Sequence, residues 1–384
     1  MFWFQLWREF KLSIAEVMSV FPDASIVFYD KKNLIVENIS QDDILEKTSR
    51  IGGTIKVSKY AEHKTQEDIY EYIYNVSLAK SGKFNYWVSL FWKESDLKKK
   101  LMVIKKFLKE KGVWSRFVNQ DFGNMSSAII NGEKLVETWS DFTIINTWET
   151  IYLGQTIWVQ DIEAYSKRDY GKSRNMEIGM LPPKLSQIMI NLALFPLLSK
   201  EGQGVVYDPF CGLGTILIES QYMWNKEVYG SDFNPEMIEA SLKNTWSKNI
   251  FLFDARDMSE SKVFSNDIDA IVTEWFLGEI MTKKNISHDR IAIQRNNLSK
   301  LYDKFFSGLQ TVWFKGNIVI SFPFWEVEKK YFYFTEVYEI LEKYCNIQAV
   351  FPENIDLYPT KSWSLLYKRD SQLVGREIFK LKIK

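Results

Sequence analysis

Apolar and polar positions follow two rhythms along this chain, and the change between them falls near residue 165. Phe2, Phe4 and Leu6 recur at every second position, the period of a strand. Residues 12–17 open a helix, with Ser13 and Glu16 at the spacing of a capping box. Residues 24–29 and 33–37 read as two strands joined at Asp30-Lys31-Lys32. Further strands are expected at 84–92, 126–130 and 142–145. Over 96–111 the apolar residues Leu97, Leu101, Ile104 and Leu108 recur at helical spacing. This is an α+β pattern, too interleaved for a helical bundle.

Residues 165–178 are polar and lack periodicity, which marks a junction. Beyond it a helix over 184–198 precedes strands at 204–207, 227–231, 250–253, 268–273 and 317–321, with helices between several of them. Strand–helix alternation predicts a mostly parallel, Rossmann-like α/β sheet covered on both faces. Strands at 363–368 and 377–383 lie too close for a crossover helix, so they are expected as an antiparallel hairpin at the sheet edge. The division expected is therefore 1–60, 61–164, a linker at 165–178, and 179–384.

Composition narrows the classes. Of 384 residues, 46% are hydrophobic, enough for a sizeable core and against a disordered tail. Lys+Arg and Asp+Glu stand level at 49 each, which excludes a uniformly basic nucleic-acid binder but not a local patch. Such a patch exists: residues 93–111 hold eight lysines against three acids, a net of +5, although a charge run is most often a solvated helix face. Cys211 and Cys345 cannot form a disulfide framework, which points to a reducing compartment. With only His63 and His288, a three-histidine zinc site is excluded, and no metal is expected. No run approaches the ~18 apolar residues of a membrane span, and the apolar start lacks a basic region of the signal-peptide kind, so the expectation is cytoplasmic.

The chemistry concentrates where the strand at 204–207 runs into Asp208-Pro209-Phe210-Cys211-Gly212-Leu213-Gly214-Thr215. Glycines allow close backbone approach to a ligand, and the helix opening at Thr215 presents free N–H groups. The next strand ends in Asp232, about 20 residues past the glycines, where a Rossmann-type fold keeps the acid that accepts from ribose hydroxyls. A third strand ends at Phe253-Asp254-Ala255, where a carboxylate can reach an adenine amine or cap a helix. A dinucleotide is disfavoured, because Ile216-Leu217 stand where its third glycine would follow.

Residues 208–219, Asp-Pro-Phe-Cys-Gly-Leu-Gly-Thr-Ile-Leu-Ile-Glu, resemble the cofactor motif of S-adenosylmethionine-dependent RNA methyltransferases, and within these the tRNA guanosine-N2 methyltransferases that carry a THUMP domain. Residues 179–193, 8–16, 52–56, 114–118, 365–369 and 374–378 are similar to further segments of that family. The resemblance implies a ferredoxin-like region over 1–60, a THUMP-like RNA-binding domain over 61–164 and a methyltransferase domain over 179–384. It implies S-adenosyl-L-methionine held by Asp208, Pro209, Gly212, Gly214, Thr215, Asp232, Phe233, Asp254 and Ala255. It implies tRNA or another structured RNA as partner of a monomer or of a complex with a small activator subunit, and the basic residues Lys98, Lys99, Lys105, Lys106, Arg116, Lys167, Arg168 and Lys184 are expected to track its phosphates.

One departure stands out. The family carries Asp/Asn-Pro-Pro-Tyr after its fourth strand, whereas this chain has Thr273-Glu274-Trp275-Phe276-Leu277-Gly278. Glu274 is expected to accept from the exocyclic amine, and Trp275 or Phe276 to stack on the base, worth ~1–3 kcal/mol. Two other readings compete: a non-catalytic RNA-binding protein that keeps the fold, and an amino-methyltransferase acting on rRNA or DNA.

Overall fold

Two sheets organise the chain, which divides into two units around them. The computed structural model describes residues 1–384 except 64, 92–96, 119–126, 148–149, 172–180, 196–203, 225–226, 280, 353–354, 356, 358–359 and 361.

The first unit comprises Met1–Phe10, Asp23–Ser49 and Thr54–Ser166. Its strands are β1 (Phe2–Leu6), β2 (Ser25–Tyr29), β3 (Asn33–Glu37), β4 (Thr54–His63), β5 (Phe84–Phe91), β6 (Ser115–Phe117), β7 (Asp141–Asn146) and β8 (Ile151–Val159). They form one sheet in the order β2-β3-β1-β4-β8-β7-β5-β6. Pairing is antiparallel except around β5, which runs parallel to both β6 and β7. The helix Leu97–Glu110 turns Leu101, Ile104 and Leu108 into a core shared with Ile69, Phe84 and Phe142. Between strands, Lys56 Nζ lies 2.8 Å from an oxygen of Asp141, and both side chains are buried. A buried charge is tolerable only with a partner, and here Ser89 and Thr156 add hydrogen bonds to the pair.

The second unit holds Lys11–Pro22, Arg50–Gly53 and Lys167–Lys384. Its strands are β9 (Val206–Asp208), β10 (Val228–Asp232), β11 (Ile250–Leu252), β12 (Ala270–Glu274), β13 (Asn317–Val327), β14 (Lys330–Tyr333), β15 (Cys345–Ile347), β16 (Leu365–Tyr367) and β17 (Val374–Ile383). The order is β11-β10-β9-β12-β13-β17-β15, with β14 on β13 and β16 on β17. The first five run parallel, connected by helices such as Thr215–Trp224, Pro235–Asn244 and His288–Thr311. β17 is antiparallel to β13 and forms the expected hairpin with β16. The chain steps outward from β9 to β11 and then returns to place β12 beside β9. That reversal is the switch point at which open α/β sheets bind ligands, at the carboxyl ends of the strands.

Four expectations change. Ser13 and Glu16 form no capping box. The helix Phe10–Val20 begins earlier, and Glu16 is fully buried, accepting from the N–H groups of Gly52 (2.9 Å) and Gly53 (2.7 Å) and from Asn191 Nδ2 (2.7 Å). Within 126–130, Ser126 lies outside the described residues and the remainder belongs to a helix, Ser127–Gly132, whose Ser127 and Ile130 face inward at helical spacing. The linker is partly structured: Ile162–Tyr170 is helical, and 172–178 lie outside the described residues. The two units also divide the chain differently from 1–60, 61–164 and 179–384, because residues 11–22 and 50–53 are bound into the second unit by Glu16.

Candidate active site

Four strand ends meet at the switch point. Asp208 closes β9 and is buried; its Oδ1 accepts from Thr273 Oγ1 on β12 at 2.7 Å and from the Phe210 N–H at 3.1 Å. Burial pushes the Asp208 carboxyl up to about 7, partly offset by these donors. Asp232 closes β10 and is also buried. One oxygen accepts from the Gly212 N–H at 3.1 Å and the other from the Asn234 N–H at 2.9 Å. Desolvation raises this carboxyl as well, and the backbone donors oppose the rise.

The turn between them is built by glycine. Gly212 (φ +50°) and Gly214 (φ +81°) both adopt the left-handed conformation. They differ in what a side chain would meet. A Cβ on Gly214 would strike Ser241 Oγ at 2.6 Å, so this glycine lets the turn pack on the helix Pro235–Asn244. A Cβ on Gly212 would have only the Phe210 carbonyl oxygen at 3.9 Å, so its surroundings are open. Pro209 and Thr215 are buried around the turn, Thr215 as the first residue of the helix Thr215–Trp224. A nucleoside cofactor fits this cradle: an open glycine backbone, an acid fixed at the end of the neighbouring strand, and the exposed Phe233 ring (68%) beside it. Asp254 is placed differently. It caps the short helix Ala255–Glu260 through the Arg256 N–H at 2.9 Å, and Arg256 holds its carboxylate from the side, pulling it below the usual range. Ala255 is buried behind it.

The loop after β12 separates its three candidates. Phe276 is exposed (58%) and available to a flat ring. Trp275 is not: it is 1% exposed, its centroid 3.7 Å from Phe210, 4.4 Å from Tyr302 and 4.8 Å from Phe305. The expected stacking role for Trp275 is thus corrected to a core role, since the apolar cluster of the long helix His288–Thr311 takes up its indole. Glu274 ends β12 and is ion-paired with Arg376 of β17, a residue the sequence does not single out. Burial raises the Glu274 carboxyl, while Arg376, and more weakly Arg369, draw it down.

The basic residues also divide. Lys98, Lys99, Lys105 and Lys106 are exposed on the outer face of the helix Leu97–Glu110, and Arg116 is exposed on β6. Lys167 is exposed. Arg168 is not held for phosphate: its Nε bonds both oxygens of the buried Glu219, at 2.9 and 3.2 Å, and its guanidinium lies 3.7 Å over the Tyr222 ring. Lys184 is half-buried on the helix Pro183–Leu194, and desolvation lowers its ammonium to about 8. Among the described residues, no group of three or more His, Cys, Asp or Glu is arranged to hold a metal, and no helix is long and apolar enough to cross a membrane.

The parallel sheet, its switch point and the glycine turn define a Rossmann-like α/β domain. Residues 172–324 match the UPF0020 family, described as an RMKL-like methyltransferase domain. The chain is 31% identical over 144 residues to the tRNA (guanine(10)-N2)-dimethyltransferase of Methanocaldococcus jannaschii, covering 35% of this chain and 39% of that one. It is 37% identical over 101 residues to the enzyme of the same name from Methanothermobacter thermautotrophicus, covering 25% and 27%. The matches thus span well under half of those relatives. The crystal structure of TrmN from Thermus thermophilus aligns over 100% of both chains with a TM-score of 0.50 and 14% identity, a likeness of fold.

Proposed function

We propose that this protein is an S-adenosyl-L-methionine-dependent RNA methyltransferase that methylates the exocyclic N2 of a guanosine in tRNA. The observation that carries the reading is the pair of bonds across the switch point, Thr273 to Asp208 and the Gly212 N–H to Asp232. They fix the glycine turn and the β12 loop side by side, so a methyl donor on one would face a base on the other. The local likeness to tRNA (guanine(10)-N2)-dimethyltransferases supports guanosine N2 in tRNA as the target.

S-adenosyl-L-methionine, when bound, would supply a methyl carbon open to attack by a nitrogen lone pair, with its sulfur leaving as a neutral thioether. The chain's own work is positioning. Asp232 would accept from ribose hydroxyls, with the Gly212 turn admitting the nucleoside. Phe233 would cover the adenine, and Phe276 would stack on the target base. Glu274 would accept from the target amine, leaving the nitrogen lone pair free. The base must leave its stack to enter such a site. Lysines of the helix Leu97–Glu110, with Arg116 and Lys167, would follow phosphates. We read the protein as cytoplasmic, acting as a monomer or with a small activator subunit.

Nucleoside mass spectrometry tests this reading. Bulk tRNA from cells lacking the gene should lose an N2-methylated guanosine, and the intact gene should restore it where an Asp232→Ala copy does not. Unchanged nucleosides would favour a second reading, a non-catalytic RNA-binding protein, which the missing prolines and the burial of Trp275 also support.

A further inference from the structure

Glu274 and Arg376 stand 102 residues apart, yet their side chains meet at the carboxyl end of β12, where the target base is to be held. Arg376 is 2% exposed, an unusual place for a guanidinium, and its carbon lies 5.6 Å over the Tyr367 ring. Among the described residues, the charged groups that act on Glu274 are Arg376 from β17 and Arg369 from the segment between β16 and β17, and Glu274 in turn acts on the acid Asp208 of β9. Burial opposes a charge on Glu274, and Arg376 and Arg369 favour it. A protonated Glu274 would have one oxygen turned donor, unable to accept from an amine with that atom. The loop also lacks both prolines that stiffen the family's version, so a longer acid needs another restraint.

We propose that Arg376 is a positioning residue for the target amine: its guanidinium holds the Glu274 side chain in one orientation as a carboxylate, so that the carboxylate accepts from the amine of the base. The inference rests on the methyltransferase reading for the identity of the amine; the pairing itself does not. A planar guanidinium with several N–H donors suits this task, because it fixes the carboxylate plane through one oxygen and leaves the other to the substrate. Arg376 thereby restores, from a distant strand, the rigidity lost from the loop.

The test uses the full chain, unmodified tRNA and S-adenosyl-L-methionine, with Arg376→Gln and Arg376→Lys. At pH 7.5, Arg376→Gln should lose at least about tenfold in kcat/KM for tRNA, the scale of a small misplacement of a reacting group. Its acid limb should move to higher pH. Arg376→Lys should recover the limb, and calorimetry should show cofactor affinity unchanged. In a Glu274→Gln background, Arg376→Gln should cost little more. A uniform loss with an unmoved pH profile, or full additivity with Glu274→Gln, would overturn the proposal. A second readout needs no activity: unfolding followed from pH 5 to pH 8. Without Arg376 the carboxyl must stay protonated or ionise unpaired, so the deficit of Arg376→Gln against the parent should widen as pH rises. A constant deficit overturns the pairing role. No methyl transfer by the parent, with the widening intact, would sink the methyltransferase reading alone.

Discussion

Two adjacent aromatic residues, Trp275 and Phe276, show how little a single position reveals by itself. Both follow Glu274 and both are flat enough to stack on a base, yet one is 1% exposed and the other 58%. They should therefore answer differently to truncation. Trp275→Ala removes the ring that Phe210, Tyr302 and Phe305 enclose, and should lower unfolding stability by about 3–5 kcal/mol, measured by denaturant titration. Phe276→Ala should leave stability within about 0.5 kcal/mol, as an exposed substitution does, and show its effect in KM for tRNA. Equal destabilisation by the two would contradict the packing described. Asp232→Ala removes the acceptor of two backbone N–H groups and the ribose acceptor together, so S-adenosyl-L-methionine binding by calorimetry should weaken at least about tenfold. The sequence identifies Asp232 because a strand end beside a glycine turn is a local pattern. It does not identify Arg376 or the burial of Trp275, because their partners lie far along the chain and leave no periodic trace.

At the scale of elements, the helix Phe10–Val20 matters most. Its sequence reads as an ordinary opening helix, but Glu16 ties it to Gly52, Gly53 and Asn191 with three hydrogen bonds, and it belongs to the second unit. Removing residues 1–165 would thus strip that unit of an integral helix and leave the polar Asn191 without its carboxylate. Such a fragment should lose cooperative thermal unfolding and, with it, cofactor binding. A fragment that melts sharply and binds the cofactor as the full chain does would show the helix to be dispensable. The milder change Glu16→Ala should cost about 2–4 kcal/mol, since it orphans buried N–H donors. The strands β9, β10, β12, β13 and the β16–β17 hairpin were legible within a few residues, because buried parallel strands between amphipathic helices give a strong pattern. The helix Ser127–Gly132 was not, since six residues are too few to distinguish helical from strand periodicity.

For the whole molecule, charge is the property that averages conceal. Net charge is zero, yet the exposed lysines of the helix Leu97–Glu110 form one face over an apolar one. Reversing Lys98, Lys99, Lys105 and Lys106 to Glu should weaken tRNA binding and flatten its dependence on salt by roughly 0.7–0.9 log units for each phosphate no longer neutralised. An unchanged slope would mean that this face is merely solvated. Buried acids set a second global response. Glu16 and Asp208 are each raised by burial to about 7, from 4.5 and 3.8. The folded state therefore holds protons that the unfolded chain has released between about pH 4 and pH 7, and stability falls as pH rises through that window. Melting temperatures should decline from pH 5.5 to pH 7.5, and Asp208→Asn, which keeps an acceptor for Thr273, should lessen the decline.

The bond between Glu16 and Asn191 also bears on how the protein comes into being. Its partners are separated by 175 residues, which at about 5–20 residues per second of synthesis is an interval of roughly 10–35 s. Throughout it, the helix Phe10–Val20 has been made, carrying Leu12, Ile14, Val17 and Met18, while Asn191 has not. The first unit ends at Ser166, so all of its chain is made before Asn191, while the helix Phe10–Val20 of the second unit still lacks that partner. The second unit therefore cannot close its Glu16–Asn191 bond until well after its first helix is made.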